Sequence, residues 1–428
     1  MNLQQLFIYA AKSLERFLKT DIRYLLRGSF WLSLGSIISM AIAFILSIIY
    51  ARYLSKEVYG SYRFILSTIG MAGIFSLPGM NIAIVRSAAR GYDGTFRKGS
   101  RFIFFTSFGI SLIAWITAFY YYARKNTPIA AGLLVAGMLI PFMEGLGNWR
   151  GYLDGKKQFR IKTVYNMAAH VFYFMCMLGA MLYIYIENLS IMISVPLLAG
   201  AYIGGRALPN LLFHWKVMRT IPKNAPEEQN ALMYGLHLSA STIPSTIATY
   251  IDSILLFTFL GPAALAVYSF AIALPEQIKS FMENSATVSF SKLASHIESP
   301  EAHPEDRKRQ LVQKIIRASL FSGIAVVGYI LLAPFIYNVF FPRYTESVIY
   351  SQVFALSLIL FPFGIFGDAL KAEGNMRKIY VHSIGAPVLQ IAALLALVPL
   401  YGLWGAVAGR VIGRLLNHAL SYVLYRTR

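Results

Sequence analysis

Nine ionisable side chains interrupt otherwise apolar stretches of this sequence: Glu144, Arg206, Asp252, Glu276, Lys279, Glu283, Asp368, Arg410 and Arg414. A charge at the centre of an apolar helix costs about 2.5–3.5 kcal/mol on insertion scales, so each needs water, a counter-charge or a ligand. Asp252 and Glu276 are candidate proton or sodium sites; the alternative use of Asp252 is a buried hydrogen bond to a neighbouring helix. Glu276, Lys279 and Glu283 follow Pro275 at i, i+3 and i+7, on one helical face, where they partly neutralise one another. Lys279 is the sole Lys or Arg in the interior of its run, and it either faces a water-filled cleft or joins an interhelical salt bridge.

The elements that must position these groups follow from composition. The 428 residues are 57% apolar and 14% charged, against about 45–50% and about 25% for a soluble domain. Too few polar residues remain to clothe a water-facing body. Twelve apolar runs, near 28–50, 64–85, 102–122, 128–149, 163–186, 190–213, 233–258, 262–288, 315–340, 347–369, 379–399 and 402–425, are each long enough to cross a bilayer as helix. Backbone groups in lipid must bond internally, so the expected fold is an all-α membrane protein. Threading the chain through twelve spans puts 29 Lys and Arg on one side and 6 on the other. The positive-inside rule then makes both termini cytoplasmic and turns most of the +20 net charge into a topology signal. Residues 1–27 carry Leu and Phe on one helical face and Lys12, Arg16, Lys19, Arg23 and Arg27 on the other, which reads as an amphipathic cytoplasmic leader on the anionic leaflet.

Catalysis is poorly provided for. The outward loops are short, with Glu57, Glu187 and Glu346 as their only carboxylates, and no two are close in sequence. A membrane-embedded glycosyltransferase, ligase or polymerase needs acid–base groups in loops with room for substrate. His296 and His303 lie in a stretch broken by Pro300 and Pro304, without a second ligand cluster, so no metal is expected. No Walker A sequence is present, and the single cysteine, Cys176, lies in an apolar run as packing material.

Two halves are related. Residues 53–64 align with 259–270 at an offset of 206, matching Leu54 with Leu260, Tyr62 with Tyr268 and Phe64 with Phe270. Pro141-Phe142, Arg150 and Asp154-Gly155 recur as Pro362-Phe363, Lys371 and Glu373-Gly374, and Gly205-Arg206 recurs as Gly413-Arg414. The expected division is a bundle over 28–216, a cytoplasmic linker over 217–231 and a second bundle over 232–428. An even number of spans per half makes the bundles parallel, with a cleft between them suited to alternating access.

The stretch Tyr50-Ala51-Arg52-Tyr53-Leu54-Ser55-Lys56-Glu57-Val58-Tyr59-Gly60 resembles the first-to-second-helix connection of the polysaccharide flippases of the multidrug/oligosaccharidyl-lipid/polysaccharide exporter superfamily. Arg150-Gly151-Tyr152-Leu153-Asp154-Gly155-Lys156-Lys157, Tyr344-Thr345-Glu346-Ser347 and Tyr401-Gly402-Leu403-Trp404-Gly405-Ala406-Val407-Ala408-Gly409 are similar to later motifs of that family. The resemblance runs from about residue 25 to the end. It implies about twelve helices in two MATE-like six-helix bundles and transfer of a polyprenyl-diphosphate-linked oligosaccharide across the cytoplasmic membrane. Its implied partners are the lipid-linked sugar, membrane lipids and polysaccharide-assembly proteins; no cofactor is expected, and with no hydrophilic body to carry the basic charge no nucleic acid is expected either. For such a cargo Lys279 is the expected diphosphate contact, Arg86 with Arg90 the cytoplasmic mouth, and Arg52 and Arg63 the outer end; snorkelling and topology are the plainer uses of those arginines. Residues 28–50 hold no charge, unlike the first helix of the peptidoglycan-precursor flippases, which argues against that substrate. The alternatives are an ion-coupled multidrug or metabolite antiporter of the same fold, with its cation at Asp252 or Glu276, and the membrane enzyme weighed above.

Reporter fusions after Lys125 and Arg343 are expected to report the outside, and a fusion after Arg160 the cytoplasm. A cytoplasmic signal after Arg343 breaks the twelve-span reading.

Overall fold

The computed structural model describes residues 22–297, 304–367, 370 and 375–427. Residues 1–21 of the expected leader, Asp368, Lys371, Glu373-Gly374 and His303 lie outside them. Every regular element among the described residues is helical. The helices are α1 (Ile22–Tyr53), α2 (Lys56–Met71), α3 (Pro78–Ala89), α4 (Gly94–Thr106), α5 (Phe108–Ala123), α6 (Thr127–Glu144), α7 (Trp149–Gly155), α8 (Phe159–Ile186), α9 (Ile191–Thr220), α10 (Ala231–Ile297), α11 (Pro304–Phe340), α12 (Ser347–Leu356), α13 (Met376–Tyr401) and α14 (Leu403–Arg426). Among the described residues nine helical stretches are long and apolar enough to cross a membrane; α2 and α3, bent by 47° at Leu77, make a tenth.

Local chemistry sets the breaks. Pro78 follows Leu77, whose φ of 52° ends the 3₁₀ turn over Ala72–Ser76 and restarts the chain as α3. Gly261, at φ 82°, lets α10 turn before Pro262, so that one long helical stretch carries two of the expected runs. Phe119, Ile186, Leu331 and Leu400 are all more than 70% exposed, which marks the faces turned to lipid.

The two halves meet along α2 and both parts of α10, before and after Gly261. Gly60 makes this possible: a Cβ there would sit 1.8 Å from the Pro262 carbonyl oxygen. Phe64 stacks on Phe257 with centroids 4.0 Å apart, and Tyr59 lies 4.9 Å from Phe270. Arg63 donates from Nε to Ser269 Oγ at 3.4 Å. Residue 63 thus touches residue 269, its own counterpart at the repeat offset of 206. The other repeat has a packing reason as well. Gly205 faces Cys176 and Tyr173 of α8, and Gly413 faces Gln390 of α13, so each lets the last helix of its half lie against the one before it.

At the end bearing Tyr53 and Arg343 the halves are clasped. Lys56 pairs with Glu346, Arg52 donates to the Val339 carbonyl at 2.8 Å, and Arg343 donates to the Leu54 carbonyl at 3.3 Å. Beneath them Tyr59, Phe270, Phe341 and Tyr344 form a continuous aromatic cluster. Burial pushes the Tyr344 phenol well up, which keeps it neutral.

At the opposite end residues 221–228 are docked on α3 and α4. Gly94 donates its backbone N–H to the Pro226 carbonyl, Arg97 donates to the carbonyls of Ile221, Pro222 and Lys223, and Glu228 accepts from Ser87 and Arg90.

Gly60→Ala is expected to force α2 and α10 apart, lowering stability by about 1–3 kcal/mol, the scale of overpacking in a close-packed interior. Thermal unfolding of the detergent-purified protein checks this; an unchanged midpoint would contradict the contact.

Candidate functional site

In the first half, α6 ends at Glu144, and a turn through Gly145, Gly147 and Asn148 leads into α7. Asn210 on α9 fastens this corner, donating to the Met143 carbonyl at 2.6 Å while its Oδ1 accepts from Trp149 Nε1 at 3.4 Å. The corner walls a cavity of about 530 Å³ lined also by Asn81, His170, Tyr173, Arg150 and Arg206. Arg150 donates from Nε to Asn166 Oδ1 at 2.7 Å and lies over the Trp149 ring at 4.6 Å. Arg206 is held between the faces of Tyr202 and Tyr173, at 4.3 and 4.7 Å. Cation–π contacts of this kind hold a guanidinium without neutralising it. Glu144 is the only carboxylate among the lining residues, so the wall carries an excess of positive charge. Arg150 also donates to the Gly147 carbonyl at 3.3 Å, and the charge of the two guanidinium groups in such a pocket suits a phosphate-like anion.

A second cavity, of about 430 Å³, opens between α1, α8 and α10 and is lined by Ser39, Thr163, Asn166, Gln277 and Ser280 among others. His170 lines both cavities.

The second half is neutralised from within. Asp252, fully buried, accepts from Arg410 Nε at 2.6 Å, from the Ser253 backbone N–H at 2.6 Å and from the Tyr268 hydroxyl. Arg410 also donates to the Thr249 carbonyl at 2.7 Å and to Glu276 at 3.2 Å. Glu276 in turn accepts from Arg414 at 2.6 Å, and Arg414 reaches Ser357 Oγ at 2.6 Å and lies over Phe354.

Sequence reasoning gave seven residues a role in transport, and the fold distributes them; Arg90 pairs with Glu228 at 3.0 Å. Asp252 and Glu276 are brought together on Arg410. Lys279 is half-buried on α10 beside Gln277 and Ser280 of the smaller cavity, with His418 nearby. Arg63 lies between the halves among Tyr59, Tyr62, Tyr202 and Tyr250. Arg52 belongs to the clasp, and Arg86 pairs with Glu228 at 3.4 Å and lies over the Tyr234 ring at 4.8 Å. None of Arg52, Arg63, Arg86 and Lys279 lines either cavity. The residue missed was Arg150, which in sequence looks like one more topology charge. The signal that could have found it is the run of amides, Asn81, Asn148, Asn166 and Asn210, in or beside spans that are otherwise apolar.

A family model described as polysaccharide biosynthesis protein matches residues 25–290. In structure the chain is similar to the lipid II flippase MurJ in an inward closed conformation, with TM-score 0.66 and 14% identity, covering 91% of this chain and 86% of that one. It is similar to an outward-facing multidrug resistance MATE family transporter of the MOP superfamily, with TM-score 0.59, 16% identity and coverage of 94% and 95%. It is also similar to a MOP superfamily transporter from Pyrococcus furiosus described by the reverse polarity of its binding pocket, with TM-score 0.61, 15% identity and coverage of 94% and 95%. No curated protein matches the sequence. The likeness bears out the MATE-like, multi-pass membrane fold expected from the sequence.

Arg410→Ala is expected to destabilise the protein by about 3–5 kcal/mol, because it leaves buried Asp252 without its cation. The double variant with Asp252→Asn should recover part of that loss in thermal unfolding; no recovery would mean that the pair is not the source.

Proposed function

We propose, from the premise that the chain belongs to the polysaccharide biosynthesis protein family, that it moves a polyprenyl-diphosphate-linked oligosaccharide across the cytoplasmic membrane by alternating access. The observation that carries this is the cationic cavity of Arg150 and Arg206 inside an otherwise apolar body. A diphosphate and its sugars cannot enter hydrocarbon, so a carrier must offer cations to the one, hydrogen bonds to the other, and lipid to the tail. It is a carrier, not a catalyst: no bond of the cargo is broken.

Both termini face the cytoplasm, on the strength of the 29 to 6 charge distribution. The span number is twelve when α10 is divided at Gly261, the bent α2–α3 pair is taken as one span and α14 is added. The halves are 28–216 and 232–428, and the linker 217–231 travels with the first. Arg150 and Arg206 take the diphosphate, Lys279 supplies a cation from the second half, and Arg86, Arg63 and Arg52 mark the route from the cytoplasmic mouth to the outer end. Asp252 and Glu276 are the coupling carboxylates: a proton or sodium ion arriving at Glu276 frees Arg414 and loosens Arg410, which reshapes the second half. An ion-coupled multidrug or metabolite antiporter is the second reading, favoured by Glu144 in the cavity wall and by the fold shared with MATE transporters.

Arg206→Ala and Lys279→Ala are each expected to lower export of the lipid-linked sugar about tenfold or more, the worth of a charge-assisted contact, with the amount of inserted protein unchanged. Lys279→Arg should keep part of the activity, since a point contact needs charge more than shape. Full export by both alanine variants would overturn the assignment.

A further inference from the structure

The two adjoining cavities differ in chemistry, and that difference divides the cargo between them. The larger one presents two guanidinium groups against a single carboxylate. The smaller one, between α1, α8 and α10, presents hydroxyls and amides from Ser39, Thr163, Asn166, Gln277 and Ser280. Its one cation, Lys162, is already neutralised, with Nζ at 2.7 and 2.6 Å from the two carboxylate oxygens of Asp154. No other formal charge lines it. Its volume of about 430 Å³ falls within the range of about 300–1,000 Å³ typical of small-molecule sites.

Hydroxyl and amide side chains each donate and accept, as sugar hydroxyls do, whereas a phosphate only accepts and gains most from cations. A prenyl chain would leave these polar groups unpaired. We infer that the crevice between α1, α8 and α10 receives the sugar residues of the lipid-linked cargo while the Arg150–Arg206 cavity holds its diphosphate, an inference that rests on the flippase reading above. Asn166 sits at the junction: it lines the crevice, and its Oδ1 accepts from Arg150 of the larger cavity at 2.7 Å. His170, one turn further along α8, lines both cavities. A glycosyl diphosphate lying across these two residues has its anomeric oxygen near α8, its phosphates toward Arg150 and its hydroxyls toward Gln277. The wall on α10 belongs to the second half and the wall on α8 to the first, so movement of the halves changes the width of the sugar site directly.

The test is photo-crosslinking in living cells that make the polysaccharide, using full-length protein with p-benzoyl-phenylalanine at Gln277, at Ser39 or, in the larger cavity, at Asn81. After irradiation the purified protein is split in two: one part is digested directly, the other first treated with mild acid, which cleaves the bond between the anomeric carbon and the phosphate oxygen. Peptides are then read by mass spectrometry. The expected result is that adducts at 277 and 39, bonded at sugar C–H groups, keep glycan mass through acid and lose the prenyl diphosphate, while adducts at 81, bonded at the prenyl C–H groups next to the diphosphate, lose the glycan and keep prenyl diphosphate. Prenyl or phosphate mass retained at 277 and 39 overturns the inference, since the crevice then holds another part of the cargo. Adducts at 81 alone overturn it too, and leave the flippase reading standing. Absence of any lipid-linked glycan at all three positions, in protein inserted at normal amount, overturns the inference and the flippase reading together.

Discussion

Hydrocarbon does not tolerate an uncompensated charge, and in this protein that constraint converges on Arg410. Its guanidinium joins buried Asp252 and the Thr249 carbonyl on the first part of α10 to Glu276 on the second part. Arg414, one turn on, adds the end of α12 through Ser357. Four segments of the second half are therefore fixed by one chain of charges, in a body where lipid supplies no hydrophobic force between helices. The break at Gly261 is compatible with a rigid half for this reason: the two parts of α10 are reconnected through Arg410 after the backbone has turned.

The first half treats the equivalent arginine differently. Arg206 and Arg414 follow the same glycine in the repeat, and each glycine admits the preceding helix. Arg414 is met by Glu276, whereas Arg206 rests on the faces of Tyr173 and Tyr202 and stays in the wall of an open cavity. Aromatic rings position a guanidinium without neutralising its charge; a carboxylate neutralises it. The two halves thus differ in the partner given to a single side chain: aromatic faces in the first, a carboxylate in the second.

Much of this was legible in the sequence, for physical reasons that can be named. Apolar runs of membrane length have one viable backbone, so helices follow directly, and the repeated Gly-Arg pair pointed to related halves. Asp252 and Glu276 stood out because charge is rare at such depth. Their shared partner could not be read, since Arg410 is 158 residues from Asp252 in sequence and only folding brings α14 against α10. Arg150 was hidden by its position near a cytoplasmic loop, where basic residues are expected anyway. Arg86 looked like a mouth residue, yet Glu228 of the linker lies against it, a pairing that depends on how residues 221–228 fold back on α3 and α4. The bend at Leu77 was equally invisible, because a left-handed leucine has no composition signal.

The clasp at the end bearing Lys56 and Glu346 has a thermal consequence. Its ion pair is substantially exposed, 33% and 52% for the two side chains, and such pairs contribute only about 0–1 kcal/mol. Closure there rests chiefly on Tyr59, Phe270, Phe341 and Tyr344, whose separation would wet a large aromatic area. Wetting apolar surface raises the heat capacity, so the enthalpy of opening this end changes with temperature and the hydrophobic seal weakens on cooling. The free energy that holds this end together is therefore curved in temperature, and cold favours separation of these rings.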